Sequence, residues 1–338
     1  MTSLTTLKAI VVDATGTELT RDEQALFKAE KPAGFILFKR NCLSKKQVRE
    51  LVSSVRECVG RPDLPVLIDQ EGGTVSRLKA PEWEEYPGAR VFGEKAKLSL
   101  KDGLAAARLN SFHMAQDLAD LGITVNCAPV VDVPSKDCHS FLADSRTYSD
   151  NPDTVGLLGE AVCQGLLDGG VTPVIKHIPG HGRGKVDSHI SLPSVDASHN
   201  ELSAVDFKPF RYLSHSNMKT ALWAMAAHVV YSSLDPDSAA TLSKRVVDDV
   251  IRREMGFEGV LIADDISMKA LGGSLKDRVL GTMAAGMDLT MLCNASFEDR
   301  VLALSVTPKV SAKAAARMEA AEAYRNGKKH EPSRSAAV

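Results

Sequence analysis

Four apolar runs in this 338-residue chain break off into side chains able to do chemistry. Val66-Leu67-Ile68 is followed by Asp69, and Val174-Ile175 by Lys176-His177. Ala224-Met225-Ala226-Ala227 is followed by His228, and Val260-Leu261-Ile262-Ala263 by Asp264-Asp265. A single Asp after a strand is ordinary, whereas four endings in Asp, Lys and His form a pattern. In a (β/α)8 barrel the C-terminal strand ends converge on one rim, where active sites lie, so residues distant in sequence would meet there. The densest segment is Lys176-His-Ile-Pro-Gly-His-Gly182, continued by Arg-Gly-Lys-Val and Asp187-Ser-His189. His177, His181, His189, Asp187, Lys176 and Lys185 lie there around Gly180, Gly182 and Gly184. Those glycines are expected to let the backbone approach a ligand and the segment move. His181, taken alone, reads as a hydrogen-bonded structural residue.

Two chemistries fit this inventory. One is metal-assisted hydrolysis, with His177, His181, His189, His228 and Asp264 as nitrogen and oxygen ligands. The other is metal-free, with a carboxylate nucleophile and a His proton donor. Spacing alone does not choose between them. The chain lacks H-E-x-x-H and any H-x-H at a strand end, which weakens the metal reading. Lys176 beside the cluster suits a sugar hydroxyl or an anion better than a cation.

The elements that must position these residues are short β-branched runs alternating with capped, amphipathic stretches. The runs fall at Ala9–Val12, Gly34–Phe38, Pro65–Ile68, Ile123–Asn126, Thr172–Ile175, Ala224–Ala227, Gly259–Ala263 and Met287–Leu292. Between them, Thr20-x-x-Glu23, Ser44-x-x-Gln47 and Ser198-x-x-Glu201 read as capping boxes. After Ser243, Val246, Val247, Val250 and Ile251 share a helical face that stops at Gly256. Eight strands alternating with helices predict an α/β fold, a single (β/α)8 TIM-type barrel over residues 1–310. Residues 311–338 are expected to add a C-terminal helix and a disordered tail. A doubly wound open sheet is the alternative, but Asp13-Ala-Thr-Gly-Thr is not the Gly-rich phosphate turn such folds carry. With 41 basic and 43 acidic residues, nothing forms the basic stripe of a nucleic-acid binder. No apolar run is long enough to span a membrane. The N-terminus lacks the pattern of a signal peptide, and the six cysteines show no C-x-x-C spacing. These features predict a cytoplasmic protein.

At this level of detail the chain resembles the glycoside hydrolase family 3 β-N-acetylglucosaminidases of the bacterial cell-wall-recycling NagZ type. Gly34-Phe-Ile-Leu-Phe-Lys-Arg-Asn41 and Ile68-Asp-Gln-Glu-Gly-Gly73 with Ser76-Arg77-Leu78 look like that family's first barrel segments. Lys176-His-Ile-Pro-Gly-His-Gly with Asp187-Ser-His189 is the most specific match, and Gly259-Val-Leu-Ile-Ala-Asp-Asp-Ile-Ser-Met268 resembles its nucleophile strand. Weaker echoes are Asn126-Cys-Ala-Pro-Val-Val-Asp132, Asp144-Ser-Arg-Thr-Tyr, Ala240-Thr-Leu-Ser243 and Ala285-Gly-Met-Asp-Leu. Ile178 stands where the family usually has Phe, and Thr74 where an Arg is common; both neighbour site positions without occupying them. The resemblance also implies the compact form without a second α/β domain.

The resemblance implies a retaining, two-step hydrolysis of terminal β-linked N-acetylglucosamine through a covalent glycosyl-enzyme. It implies release of that sugar from N-acetylglucosamine–anhydro-N-acetylmuramic acid (peptide) fragments, with no cofactor or metal, by a monomer that binds neither nucleic acid nor membrane. The motif match makes Asp264 the nucleophile and leaves Asp265 to support the following loop or helix. The substrate-binding positions carried over are Asp69, Arg77, Arg146, Lys176, His177 and His228. For the proton donor no Glu is convincing, and Glu71 reads as a rim or turn carboxylate. An unperturbed imidazole already titrates near neutrality, so a His needs less tuning than a Glu; Asp187, two residues before His189 on a turn, would hold one ring nitrogen. The expectation is a His189–Asp187 acid/base dyad. A phosphorylase or transglycosidase is the runner-up, since a His adds no second anion to repel phosphate. A metal-dependent barrel hydrolase and a non-catalytic sugar-binding barrel are the readings of other classes.

Overall fold

The computed structural model describes residues 3–136, 138, 145–184, 192–268 and 271–328. Its centre is a closed barrel of eight parallel strands. In chain order these are β1 (Lys8–Val12), β2 (Pro32–Leu37), β3 (Val66–Ile68), β4 (Val125–Asn126), β5 (Thr172–Ile178), β6 (Trp223–Ala226), β7 (Val260–Asp265) and β8 (Leu289–Leu292). Each pairs in parallel with its successor, and β8 returns to β1 through Ile10 opposite Thr290 and Val12 opposite Leu292. The apolar runs identified in the sequence are these strands. Barrel interior and helix layer cover both strand faces, so the runs are continuous rather than alternating: β2 is buried at all six positions.

The helices follow from local sequence. Helix α1 (Arg21–Glu30) opens with a complete Thr20/Glu23 capping box. Helix α2 (Lys45–Val59) buries Val48, Leu51, Val52, Val55 and Val59 on one stripe and ends at Gly60 in the left-handed region. Burying each such side chain is worth about 1.5–3 kcal/mol. Its predicted capping box is half formed. Ser44 accepts from the Gln47 N–H, but the Gln47 amide turns to the Thr17 and Asn41 carbonyls. Helices α3 (Ala89–Leu98), α4 (Leu100–Asp120), α5 (Pro152–Asp168), α6 (His199–Ala204) and α7 (Lys208–Ser214) follow, then α8 (Leu275–Ala285), α9 (Phe297–Val306) and α10 (Ala312–Lys328). The Ser198/Glu201 box caps α6.

The stretch after Ser243 departs from the α-helix its spacing suggests. Val246–Glu254 is a π-helix, closed by the Met255 N–H on the Val250 carbonyl at 2.9 Å. It still buries Val246, Val247, Val250 and Ile251, because the apolar pairs fall on adjacent turns in either winding. Gly256 follows with φ of +70°.

The C-terminal rim carries extra structure. A hairpin of Gln70–Gly72 and Val75–Ser76 follows β3. A three-stranded sheet of Ser194–Val195, Val230–Tyr231 and Asp235–Ala239 lies beyond β5 and β6. Among the described residues no helix is long and apolar enough to cross a membrane.

Candidate active site

A cavity of about 330 Å³ opens at the C-terminal mouth of the barrel. It is lined by side chains from the ends of β2, β3, β5, β7 and β8 and from the loop after β4. Asp69 directly follows β3, Lys176 and His177 lie near the end of β5, and Asp264 lies at the end of β7. Asp69, Arg77, Arg146, Lys176, His177 and Asp264, all singled out from the sequence, border this one space.

Five of the lining residues form a chain of alternating charge. Arg77 Nη2 donates to Asp69 Oδ2 at 2.8 Å, and Lys176 Nζ to Asp69 Oδ1 at 2.9 Å. Lys176 Nζ also lies 2.7 Å from Glu71 Oε1. Arg146 closes the chain as a fork, Nε to Glu71 Oε2 at 2.8 Å and Nη2 to Oε1 at 2.7 Å. Burial alone would raise the Asp69 carboxyl, but Lys176 and then Arg77 hold it well below the carboxylate range. Glu71 is likewise pushed up by burial and pulled far down by Arg146 and Lys176. Burial opposes the charge of Lys176, and the two carboxylates more than restore it. These side chains are therefore ionised and already aimed before any ligand arrives. Arg77 also lies over the Phe38 ring, 5.2 Å from its centroid, which gives the cavity an apolar wall with a cation on its face.

Glu71 belongs to this network, a place the sequence reading did not give it. It sits in the rim hairpin, but its side chain is turned into the network and only 6% exposed. The hairpin places it there. Asn126 at the end of β4 accepts the Gln70 N–H and donates to the Gln70 carbonyl, which ties the hairpin to the barrel. The signal was present in the pairing of Glu71 with basic residues at the cavity, but those partners lie 75 and 105 positions away in sequence.

The two acids closing β7 have different surroundings. Burial would raise Asp264, but the fields of His228 and His177, the Asp265 N–H and Lys176 bring it below its ordinary value. Asp265 is pushed up to about 6, by burial first, and Asp264 adds to the shift. Its carboxylate accepts from Ser267 N (2.9 Å), Ser267 Oγ (2.7 Å) and Cys293 N (3.0 Å), so it braces the loop after β7 against the end of β8. Both acids border the cavity, helped by a register shift between β7 and β8 at Ile262/Asp265. Asp264 is thus the more acidic of the two, with the freer carboxylate.

His177 is oriented from behind. Asp132 Oδ2 lies 2.8 Å from its Nδ1, and the same carboxylate accepts the His177 and His181 backbone N–H groups. That leaves Nε2 as the ring nitrogen open to a ligand.

His228 departs from its assignment as a substrate contact. It is 1% exposed and does not border the cavity. Its Nε2 donates to the Asp265 carbonyl at 3.0 Å, and its Nδ1 lies 2.7 Å from Thr241 Oγ1. Both ring nitrogens are spent inside the barrel, so His228 supports the end of β7 and contributes to the field at Asp264. His181 departs in the other direction. Neither ring nitrogen finds a hydrogen-bond partner among the described residues, and the residue lines the cavity. The glycines around it serve close packing: a Cβ on Gly182 would lie 1.8 Å from the Val133 carbonyl oxygen. Gly180 likewise sits against Asp206.

His189 and Asp187 lie outside the described residues. Among the described residues, no three His, Cys, Asp or Glu side chains gather as a metal ion would require. Of the ligand set offered by the sequence, the four described members, His177, His181, His228 and Asp264, are not assembled as a metal site among the described residues.

Comparison with known proteins agrees with this geometry. The model of the Glycosyl hydrolase family 3 N terminal domain matches residues 3–322. The Beta-hexosaminidase of Idiomarina loihiensis is 33% identical over 288 residues, 84% of this chain and 83% of that one. That of Pseudomonas aeruginosa is 33% identical over 307 residues, 89% of this chain and 88% of that one. Among solved structures, NagZ from Neisseria gonorrhoeae in complex with N-trifluoroacetyl-D-glucosamine superposes with a TM-score of 0.84 at 30% identity, covering 95% of this chain and 93% of that one.

Proposed function

Because the chain belongs to glycoside hydrolase family 3 and is a β-N-acetylhexosaminidase of that family, we propose that it releases terminal β-linked N-acetylglucosamine from peptidoglycan-turnover fragments. The substrate is the N-acetylglucosamine–anhydro-N-acetylmuramic acid unit, with or without its peptide, and the compartment is the cytoplasm where such fragments are recycled. The working unit in this reading is a monomer. The N-acylated glucosamine bound in the Neisseria gonorrhoeae NagZ structure supports the sugar class.

The reading rests chiefly on Asp264, a carboxylate kept ionised at the end of β7 on the wall of a sugar-sized cavity. Its oxygen attacks the anomeric carbon, forming a C–O bond as the bond to the leaving oxygen breaks. His189, oriented by Asp187, gives the leaving oxygen its proton, then takes one from the water that hydrolyses the glycosyl-enzyme. Asp69 accepts from sugar hydroxyls, while Arg77, Arg146, Lys176 and His177 Nε2 fix the ring. No cofactor enters this sequence of steps.

Turnover of an aryl β-N-acetylglucosaminide against the aryl β-glucoside tests the sugar class; equal rates would refute it. Trapping with a slow 5-fluoro sugar and peptide mapping tests the nucleophile. A label on Asp264 is expected, and a label on Asp265, or no adduct, would overturn the assignment. His189→Ala should slow poor leaving groups far more than good ones. Equal slowing of both at glycosylation would remove His189 as the acid.

A further inference from the structure

One buried side chain on the cavity wall has hydrogen-bonding capacity that the described residues leave unused. His181 is 6% exposed, and neither Nδ1 nor Nε2 has a partner among them. The residue is nonetheless firmly held. Its N–H donates to Asp132 Oδ1 at 2.6 Å, and its carbonyl accepts from Gly184 N–H at 2.9 Å. The ring meets His177 edge-on, with centroids 5.8 Å apart. The Gly184 backbone packs so close that a Cβ there would lie 2.6 Å from Cε1. Buried polar groups are nearly always satisfied, because an unsatisfied one is costly. A fixed imidazole bordering a ligand-sized cavity meets that requirement when the ligand itself is the partner.

We propose that His181 is a specificity-determining contact for the bound sugar, offering from its ring either an N–H or a lone pair to a hydroxyl or an acetamido group. The inference rests on the family 3 glycosidase reading and names a contact within that site. Its chemistry differs from that of its neighbours. Arg77, Arg146 and Lys176 only donate, and the ionised carboxylates only accept. A neutral imidazole does both, as neutral carbohydrate groups do. Burial holds His181 neutral, pushing its pKa down to about 4 although Asp132 and Asp264 pull upward. It therefore brings no charge to the sugar at neutral pH.

The test compares wild type, His181→Phe and His181→Gln on an aryl β-N-acetylglucosaminide and an aryl β-glucoside. In parallel, nitrogen NMR of 15N-histidine-labelled wild type follows the ring signals that His181→Gln removes, with N-acetylglucosamine or glucose added. His181→Phe should raise KM roughly tenfold with little change in kcat, the size of a lost neutral hydrogen bond. His181→Gln should recover most of that loss, and the wild-type ring signals should shift on adding sugar. A KM effect confined to the N-acetylated substrate assigns the acetamido group, and an effect on both substrates assigns a hydroxyl. An unchanged KM in His181→Phe, no recovery in His181→Gln, or ring signals unmoved at saturating sugar would overturn the proposal. Shifted ring signals in a wild type that hydrolyses neither substrate would refute the hydrolase reading while leaving the contact standing. Turnover with unmoved signals would refute the contact alone.

Discussion

Glu71 decides where two of the cavity's three cations point. Its two oxygens take the fork of Arg146, and Oε1 also takes the Lys176 ammonium. Replacing it by Gln keeps the shape but puts an NH2 against a cation and removes the charge both partners need. Removing one member of a buried ion pair costs roughly 3–5 kcal/mol, because the partner is left uncompensated. In Glu71→Gln, Lys176 is left with Asp69 alone and Arg146 loses its fork. Steady-state kinetics should show kcat/KM down by at least roughly tenfold, carried mainly by KM, since the groups disturbed are those proposed to hold the ring. Unchanged KM would mean that Glu71 serves the fold and not the sugar.

At the scale of elements, the continuation of β5 from Ile178 to Gly184 is the most constrained segment of the rim. The Tyr231 hydroxyl donates to the Gly180 carbonyl at 2.7 Å, and the missing Cβ of Gly182 makes room for the Val133 carbonyl. Gly182→Ala should therefore push His181 off the cavity wall. A thermal melt should fall by several degrees, as overpacking typically costs about 1–3 kcal/mol. kcat/KM should fall with it, and a variant with wild-type melting and kinetics would show that the segment yields. The eight strands were legible because strands covered on both faces must be continuous apolar runs, and these are bounded by turn residues. The rim was less so. Glu71 lies in a hairpin strand of three residues, too short to show a period, and its partners come from a distant loop and from β5. His228 follows a strand as a ligand would, but Thr241, thirteen positions on, folds back onto its ring. The π-helix was invisible because its apolar spacing also suits an α-helix.

For the molecule as a whole, one fully buried carboxyl responds to pH against the usual direction. Asp206 is pushed up to about 6, chiefly by burial, although Arg183 Nε donates to its Oδ2 at 2.8 Å. It binds its proton more tightly folded than unfolded, so the stability it contributes is full below about pH 4 and is lost as pH rises to about 6. A rise from 3.8 to about 6 is worth about 3 kcal/mol. Melting temperatures of Asp206→Asn and wild type should diverge across that window in favour of the variant and run parallel above it. A difference that stays flat from pH 4 to 7 would contradict the assignment. The alternating chain at the barrel mouth has a consequence of another kind. Arg77, Lys176 and Arg146 face Asp69, Glu71 and Asp264, so these six charges cancel, and Asp265, pushed up to about 6, adds at most one negative charge toward an incoming neutral sugar. Dissolved salt has little to screen, both because the pairs are buried and because no long-range attraction draws the ligand in. KM for an uncharged glycoside should stay nearly constant from low to high ionic strength.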